Sequence, residues 1–160
     1  MSTFLWIVLI FILLIISLVV LLKNSHRKLE LRKVKWQEEE ENCQIDEISG
    51  SKYESWHYKD NETEITVGVT WADMKSGFRI YMDGFRDGSG IIPIEENKII
   101  VARMLKYLGF VMGRDTLKLN YEGFAQPSDE LIKEIEDKIK PIGYVRMTQD
   151  ESKEITWSKK

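Results

Sequence analysis

The hydrophobic pattern of the chain changes character after residue 22. Residues 4–22 form a run of nineteen residues with one polar side chain, Ser17, and no charge. At ~1.5 Å of rise per residue, a helix of this length reaches ~28 Å, close to the ~30 Å hydrocarbon core of a bilayer. A core helix of a small soluble domain would need a polar face, and this run has none. The pattern therefore predicts a membrane-spanning helix.

Beyond residue 62 the hydrophobic residues follow the shorter periods of a folded domain. In Glu64–Trp71 every second residue is apolar, which is typical of a strand with one buried face. Phe78–Met82 alternates in the same way after a turn, so the two segments predict a hairpin. Residues 83–90 are rich in Gly and Asp and are expected to form a loop, followed by a short strand at 91–92.

Helical spacing predicts two helices in this domain. Glu95–Leu108 repeats apolar residues at intervals of three and four, and Gly109 is the expected C-terminal cap. The second helix begins after Ser128, a favourable N-cap residue, and Pro141 is expected to end it.

Further short strands are expected around these helices. Residues 110–112 and 116–121 predict one hairpin, and residues 142–147 and 154–157 predict another at the C-terminal end. The order ββ-α-ββ-α-ββ indicates an α+β fold, with a small antiparallel sheet, two packed helices and a single N-terminal transmembrane helix.

These patterns divide the chain into three parts. Residues 1–22 are the predicted transmembrane anchor, and residues 62–160 the α+β globular domain. Residues 23–61 are interpreted as a basic juxtamembrane segment followed by an acidic linker, because four consecutive glutamates stand at 38–41.

The apolar run is not typical of a cleaved signal peptide. Residues 1–3 carry no basic side chain, and no small-x-small cleavage site follows Leu22. The run is also longer than the roughly 7–15 apolar residues of a signal peptide. An uncleaved anchor is the preferred interpretation.

The flanking charges predict the orientation of the anchor. No basic residue precedes the run, and six follow it closely: Lys23, Arg27, Lys28, Arg32, Lys33 and Lys35. Because an excess of Lys and Arg marks the cytoplasmic side, we expect a single-pass cell-membrane protein with its N-terminus outside and its globular domain in the cytoplasm. The single cysteine, Cys43, agrees, since small exported domains often carry disulfides.

The same six basic residues are candidates for contact with lipid headgroups. Each basic residue close to an anionic leaflet contributes on the order of 1 kcal/mol of attraction. The alternative is that these residues only determine the topology, and the sequence leaves both interpretations open.

The remaining chain is acidic. Residues 37–160 hold 17 basic and 25 acidic side chains, a net charge of −8. Such a surface repels phosphates, so we expect no nucleic-acid partner. The acidic surface is compatible with a basic protein partner.

The residues that commonly carry catalysis are not grouped in the sequence. His26 and His57 have no second His or Cys at ligand spacing, so we expect no metal and no cofactor. Cys43 stands beside acids, which raise the pKa of a thiol. Five carboxylates could form acid–base pairs, although surface acids are the simpler interpretation: Asp73, Asp83, Asp87, Glu95 and Glu96.

The segment 81–87 is the predicted surface for a protein partner. It combines aromatic, basic and acidic side chains, and Tyr, Phe and Arg often anchor protein interfaces. The predicted contact residues are Tyr81, Asp83, Phe85, Arg86 and Asp87. The alternative is that Phe85 packs into the core.

Three short motifs resemble a known family. FRIYMD at 78–83, IEENKII at 94–100 and YLGF at 107–110 resemble small α+β immunity proteins of bacterial polymorphic toxin systems. The resemblance covers about 33 residues, and the anchor lies outside it. It implies a non-enzymatic protein that binds a cognate toxin, and it places no site residue on this chain.

We therefore expect a membrane-anchored protein that presents a small, non-enzymatic protein-interaction domain. Its expected partners are the lipid bilayer and a protein. A membrane-tethered immunity protein is the first alternative, and a membrane-bound hydrolase that uses Asp83 and Asp87 is the second.

Overall fold

The computed structural model describes residues 3–48, 55–73, 77–87, 90–91, 94–121, 125–147 and 153–160. Within these ranges, the side chains of residues 3–5, 55, 68–94 and 96 are outside the description. The chain forms two compact units, Met1–Lys35 and Trp36–Lys160.

The first unit is helical. Helix α1 runs from Thr3 to Glu39, so its last turn belongs to the second unit. The apolar side chains from Trp6 to Leu22 are all exposed, by 40 to 66%. This helix is long and apolar enough to cross a membrane, which confirms the helix predicted over the apolar run.

The second unit is built on a mixed sheet. Over the described residues it contains eight strands, in the spatial order β1-β2-β3-β4-β6-β8-β7, with β5 beside β4. The strands are β1 (Gln44–Ile48), β2 (Ser55–Lys59), β3 (Glu64–Asp73), β4 (Gly77–Asp87), β5 (Gly90–Ile91), β6 (Thr116–Asn120), β7 (Tyr144–Arg146) and β8 (Glu154–Lys159). Neighbouring strands are antiparallel except β4 and β6, which are parallel.

Two helices complete the core of this unit. Helix α2 (Lys98–Phe110) packs against α3 (Asp129–Ile139) and β6. Alternate residues of the strands are buried with them, among which Tyr58, Leu117 and Trp157 are fully enclosed. The α+β class is confirmed, and the order of elements is close to that predicted.

The N-cap of the second predicted helix is confirmed. The Ser128 hydroxyl accepts a hydrogen bond from the backbone N–H of Leu131 at 3.1 Å, and α3 follows directly. The helix ends at Ile139, where residues 140–142 tighten into a 3-10 turn that contains Pro141. Proline is tolerated there because the first turn of a helix does not need its missing N–H.

The loop predicted at 83–90 is wrong for residues 83–87. Strand β4 continues to Asp87, with Phe85 opposite Val67 and Arg86 opposite Thr66. Gly and Asp are disfavoured in strands, but here the neighbouring strand β3 supplies backbone partners.

The hairpin predicted around residue 113 is also wrong. Residues up to Phe110 remain in α2, and β6 pairs in parallel with β4 instead of with a strand at 110–112. Gly109 is therefore inside the helix and not its cap. A Cβ at Gly109 would stand 2.8 Å from the Tyr144 hydroxyl oxygen, so this glycine allows β7 to approach α2 closely.

The linker predicted over 23–61 differs most from the structure. Residues 44–48 and 55–59 form β1 and β2, which extend the sheet beside β3. Their inward side chains are in the core: Ile45 is 4% exposed, Trp56 3% and Tyr58 0%. The folded unit begins at Trp36, which is itself 1% exposed, and not at residue 62.

A fragment 62–160 is therefore expected not to fold, whereas a fragment 36–160 is expected to unfold cooperatively on heating. The shorter fragment loses Trp36, Ile45, Trp56 and Tyr58, whose burial contributes about 1.5–3 kcal/mol each. This sum is comparable to the whole stability of a small domain, about 5–15 kcal/mol. Circular dichroism during thermal unfolding measures the difference, and an equal melting temperature for both fragments would contradict the boundary at Trp36.

Candidate functional site

The predicted partner-binding residues lie on a strand. Tyr81, Asp83, Phe85, Arg86 and Asp87 belong to β4, and their side chains lie outside the described residues. Val69 pairs with Ile80 but Val67 pairs with Phe85, so the register of β4 against β3 is interrupted within 81–84. The proposed roles of these side chains in partner binding, and of Asp83 and Asp87 in hydrolysis, stay predictions.

The most concentrated group of charges in the described side chains surrounds Glu40. We call it the Glu40 cluster, and it contains Glu39, Glu40, Tyr58, Asp60, Arg103, Lys106 and Lys138. The side chain of Glu40 is only 4% exposed. Its Oε1 accepts from Lys138 Nζ at 2.9 Å and from Lys106 Nζ at 3.1 Å, and its Oε2 accepts from Arg103 Nε at 3.1 Å.

Secondary structure places these cations around a single carboxylate. Arg103 and Lys106 are three residues apart on α2, so both side chains leave the same face of that helix. Lys138 comes from the last turn of α3, which packs beside α2. Glu40 follows the last residue of α1.

Asp60 and Tyr58 continue the cluster towards the sheet. Asp60 Oδ1 accepts from the backbone N–H groups of Glu62 (3.0 Å) and Thr63 (2.8 Å), which closes the turn between β2 and β3. Asp60 Oδ2 accepts from the Tyr58 hydroxyl at 2.6 Å and from Arg103 Nη1 at 3.0 Å. Arg103 therefore joins the buried carboxylate of Glu40 to the partly buried carboxylate of Asp60, which come from different parts of the chain.

These contacts hold both carboxylates in their charged form. Burial by itself raises the pKa of the Glu40 carboxyl, but hydrogen bonds from Lys138 and Lys106 outweigh it and lower the pKa below its ordinary value of 4.5. For Asp60, burial is likewise outweighed by hydrogen bonds from Tyr58 and two backbone N–H groups, so its pKa is lowered too. Neither group is in the protonated state that a general acid needs at neutral pH.

The charges of the cluster balance. Its three cations are Arg103, Lys106 and Lys138. They face three carboxylates, those of Glu40, Asp60 and Glu39, the last of which accepts a hydrogen bond from Lys106 at 2.9 Å. Every one of these groups has its partner inside the protein. The arrangement is suited to fixing elements of the fold rather than to binding a charged substrate.

Cys43 and three aromatic rings lie among the same elements. Burial raises the pKa of the Cys43 thiol to about 11, and this residue is 1% exposed. Because the thiolate is the nucleophile, this thiol is inert at neutral pH.

Tyr107 packs edge-on against Trp36 at 5.3 Å and against Trp56 at 5.8 Å between ring centres.

An open cleft of about 490 Å³ lies beside the β2–β3 turn and the start of α2. Four carboxylates line it: Asp60, Glu62, Glu95 and Glu134. Glu95 is engaged, since it accepts from the backbone N–H and the hydroxyl of Ser128, both at 2.8 Å. Among the described residues, no group of three or more His, Cys, Asp or Glu side chains is placed to hold a metal ion.

Sequence reasoning missed the Glu40 cluster. The run Glu38–Glu41 resembles a solvated linker, and nothing within the run distinguishes its third residue. A weaker signal was available in α2, where Arg103 and Lys106 interrupt an apolar segment. Buried basic residues need anionic partners, so this pair predicts a carboxylate from another element.

No family model and no curated protein matches the chain. The resemblance of 78–83, 94–100 and 107–110 to immunity proteins of toxin systems therefore stays a prediction.

Replacement of Glu40 by Gln is expected to destabilise the fragment 36–160 by about 3 kcal/mol, at the lower end of the cost of removing one partner from a buried ion pair. For a domain of this size the melting temperature should fall by about 10 °C. Glu39→Gln is the matched control, since Glu39 is 42% exposed and contacts the same Lys106. It should cost less than about 1 kcal/mol. Equal losses in both variants would contradict the special role of Glu40.

The stabilising effect of Glu40 is expected to depend on pH in a defined direction. A carboxyl whose pKa is lowered by folding contributes stability above its unfolded pKa of 4.5 and loses that contribution as the pH falls. The difference in free energy of unfolding between the native fragment and Glu40→Gln should therefore be constant near neutrality and shrink below about pH 4.5. Urea titrations at several pH values measure it, and a difference that grows on acidification would refute the assignment.

Proposed function

We propose that this chain is a single-pass membrane-anchored protein that presents a small, non-enzymatic interaction domain at the membrane. The observation that carries the proposal is the surface of α1 from Trp6 to Leu22. Its apolar side chains are exposed on every side of the helix, and none of its most apolar window is buried. Soluble monomers rarely expose apolar patches above a few hundred Å², and a bilayer is the environment that covers such a helix completely.

The proposed orientation places the globular domain in the cytoplasm. The six basic residues from Lys23 to Lys35 all stand on the domain side of the apolar run, and the three residues before it carry no charge. Because segments rich in Lys and Arg stay on the cytoplasmic side, the N-terminus would lie on the outer side of the membrane.

The proposed role of the domain is to bind a protein partner. The charged groups of the Glu40 cluster are engaged with one another, and the Cys43 thiol is buried and protonated, so these groups favour a structural role. The net charge of −8 on residues 37–160 favours a basic partner. Anchoring would raise the effective concentration of the domain for partners at the same membrane.

Membrane extraction tests the anchor directly. The full chain should stay with membranes after alkaline carbonate treatment, and the fragment 36–160 should be released into the supernatant. The fragment is the appropriate control because it contains the complete second unit and lacks the apolar helix. Release of the full chain by carbonate would overturn the proposal.

The orientation is expected to be visible through a cysteine introduced on α3. Asp137 is exposed, so Asp137→Cys should react with a membrane-impermeant maleimide only after the cells are lysed. The native Cys43 supplies the background control, because it is buried and should react only after denaturation. Labelling of Asp137→Cys in intact cells, with any outer envelope opened, would place the domain outside.

A further inference from the structure

Helix α1 continues without interruption beyond the apolar run. The uninterrupted apolar run ends at Leu22, and the helix extends to Glu39. The basic residues Lys23, Arg27 and Lys28 therefore lie at fixed heights along one helix axis. At ~1.5 Å of rise per residue, they stand roughly 1.5, 8 and 9 Å beyond Leu22.

The basic side chains surround this helix instead of forming a stripe. At 3.6 residues per turn, the six basic residues from Lys23 to Lys35 leave no gap wider than about 100° around the axis, and the three nearest the apolar run, Lys23, Arg27 and Lys28, point in directions about 0°, 40° and 140°. A helix that lies flat on a membrane carries its basic residues on one face, opposite an apolar face. A helix that leaves the membrane through the headgroups meets phosphates on all sides, so basic residues that point in different directions can each reach a phosphate there.

These side chains are available to an external anion. Lys23, Arg27 and Lys28 are exposed, and no carboxylate of the described residues lies within ion-pair distance of them. Lys33 is 3.8 Å from Glu30, but both side chains are about half exposed, at 45 and 51%. An exposed pair of this kind contributes little and does not prevent another contact.

Height along the helix separates the basic residues into two groups. The headgroup region of one leaflet is about 5–8 Å thick. This is half of the difference between the ~40–45 Å thickness of the whole bilayer and the ~30 Å thickness of its hydrocarbon core. Lys23, Arg27 and Lys28 are within or next to it. Arg32, Lys33 and Lys35 stand roughly 15–20 Å beyond Leu22, which is roughly 7–15 Å outside this layer and about one Debye length from its outer edge.

We propose that Lys23, Arg27 and Lys28 form a binding site for the phosphates of anionic phospholipids, and that Arg32, Lys33 and Lys35 do not contact lipid directly. This inference rests on the proposed function, because it requires α1 to span the bilayer. Three of the six basic residues are then lipid-selective, and their ligand is the phosphate group of an anionic phospholipid.

Lipid selectivity of the full chain tests this proposal. The chain is reconstituted into nanodiscs with equal amounts of phosphatidylcholine and phosphatidylglycerol, and the lipids that stay bound after transfer to detergent are counted by native mass spectrometry. Both leaflets of a nanodisc are alike, so the orientation of the chain does not affect the result. Two variants with the same change of charge are compared: Lys23→Gln/Arg27→Gln/Lys28→Gln and Arg32→Gln/Lys33→Gln/Lys35→Gln.

The native chain is expected to retain at least about five molecules of phosphatidylglycerol for each molecule of phosphatidylcholine. One basic residue near an anionic surface contributes about 1 kcal/mol, which corresponds to about a fivefold preference. The variant at 32, 33 and 35 should keep most of this preference, and the variant at 23, 27 and 28 should lose it.

Three results would overturn the proposal. Equal losses in the two variants would mean that the whole segment attracts anions without regard to height. Incorporation of the native chain without any preference for phosphatidylglycerol would refute the lipid site and leave the anchor standing. Failure of the native chain to enter nanodiscs would refute the anchor, and the lipid site with it.

Discussion

The burial of a single carboxylate, that of Glu40, organises the charged interior of residues 36–160. Three cations from two helices converge on it, at 2.9 to 3.1 Å, in surroundings that leave the side chain 4% exposed. Taking an ion out of water costs several kcal/mol, and this cost is offset only when geometry and hydrogen bonding are complete. Both Glu40 oxygens are occupied, and Arg103 extends the contacts to Asp60 and Tyr58.

This constraint explains why the acidic segment after α1 is part of the fold. Trp36 packs edge-on against Tyr107 and Glu40 binds the cations of α2 and α3, so the chain is held where it enters the second unit. It then continues into β1 and β2, which cover core positions with Ile45, Trp56 and Tyr58. A segment with the composition of a linker thus supplies two strands of the sheet.

The chain uses its basic residues in two contrasting ways. Arg103, Lys106 and Lys138 are drawn into the second unit, where carboxylates of the same unit neutralise them. Lys23, Arg27 and Lys28 are exposed on α1, next to the apolar run, and their proposed counter-charges are lipid phosphates. If the apolar run spans a bilayer as proposed, the position along the chain decides which use is open to each residue, because a charge beside the bilayer would face an anionic surface and a charge within the domain would not.

The sequence by itself determined the elements whose signals are local. A run of nineteen uncharged residues with one polar side chain and no polar face predicted α1. Alternation in Glu64–Trp71 and the cap at Ser128 predicted β3 and the start of α3. Tertiary structure decided what depends on partners far apart in the chain. Pairing with β3 extended β4 through a Gly- and Asp-rich segment, and the parallel pairing of β6 with the first half of β4 left residues 110–112 without a strand role. The ion pairs of Glu40 join residues 63 to 98 positions apart, and the same glutamate would be solvated if α2 and α3 did not bring cations to it. A local window contains the helix or strand preference of a residue, but not the charge that will face it after folding.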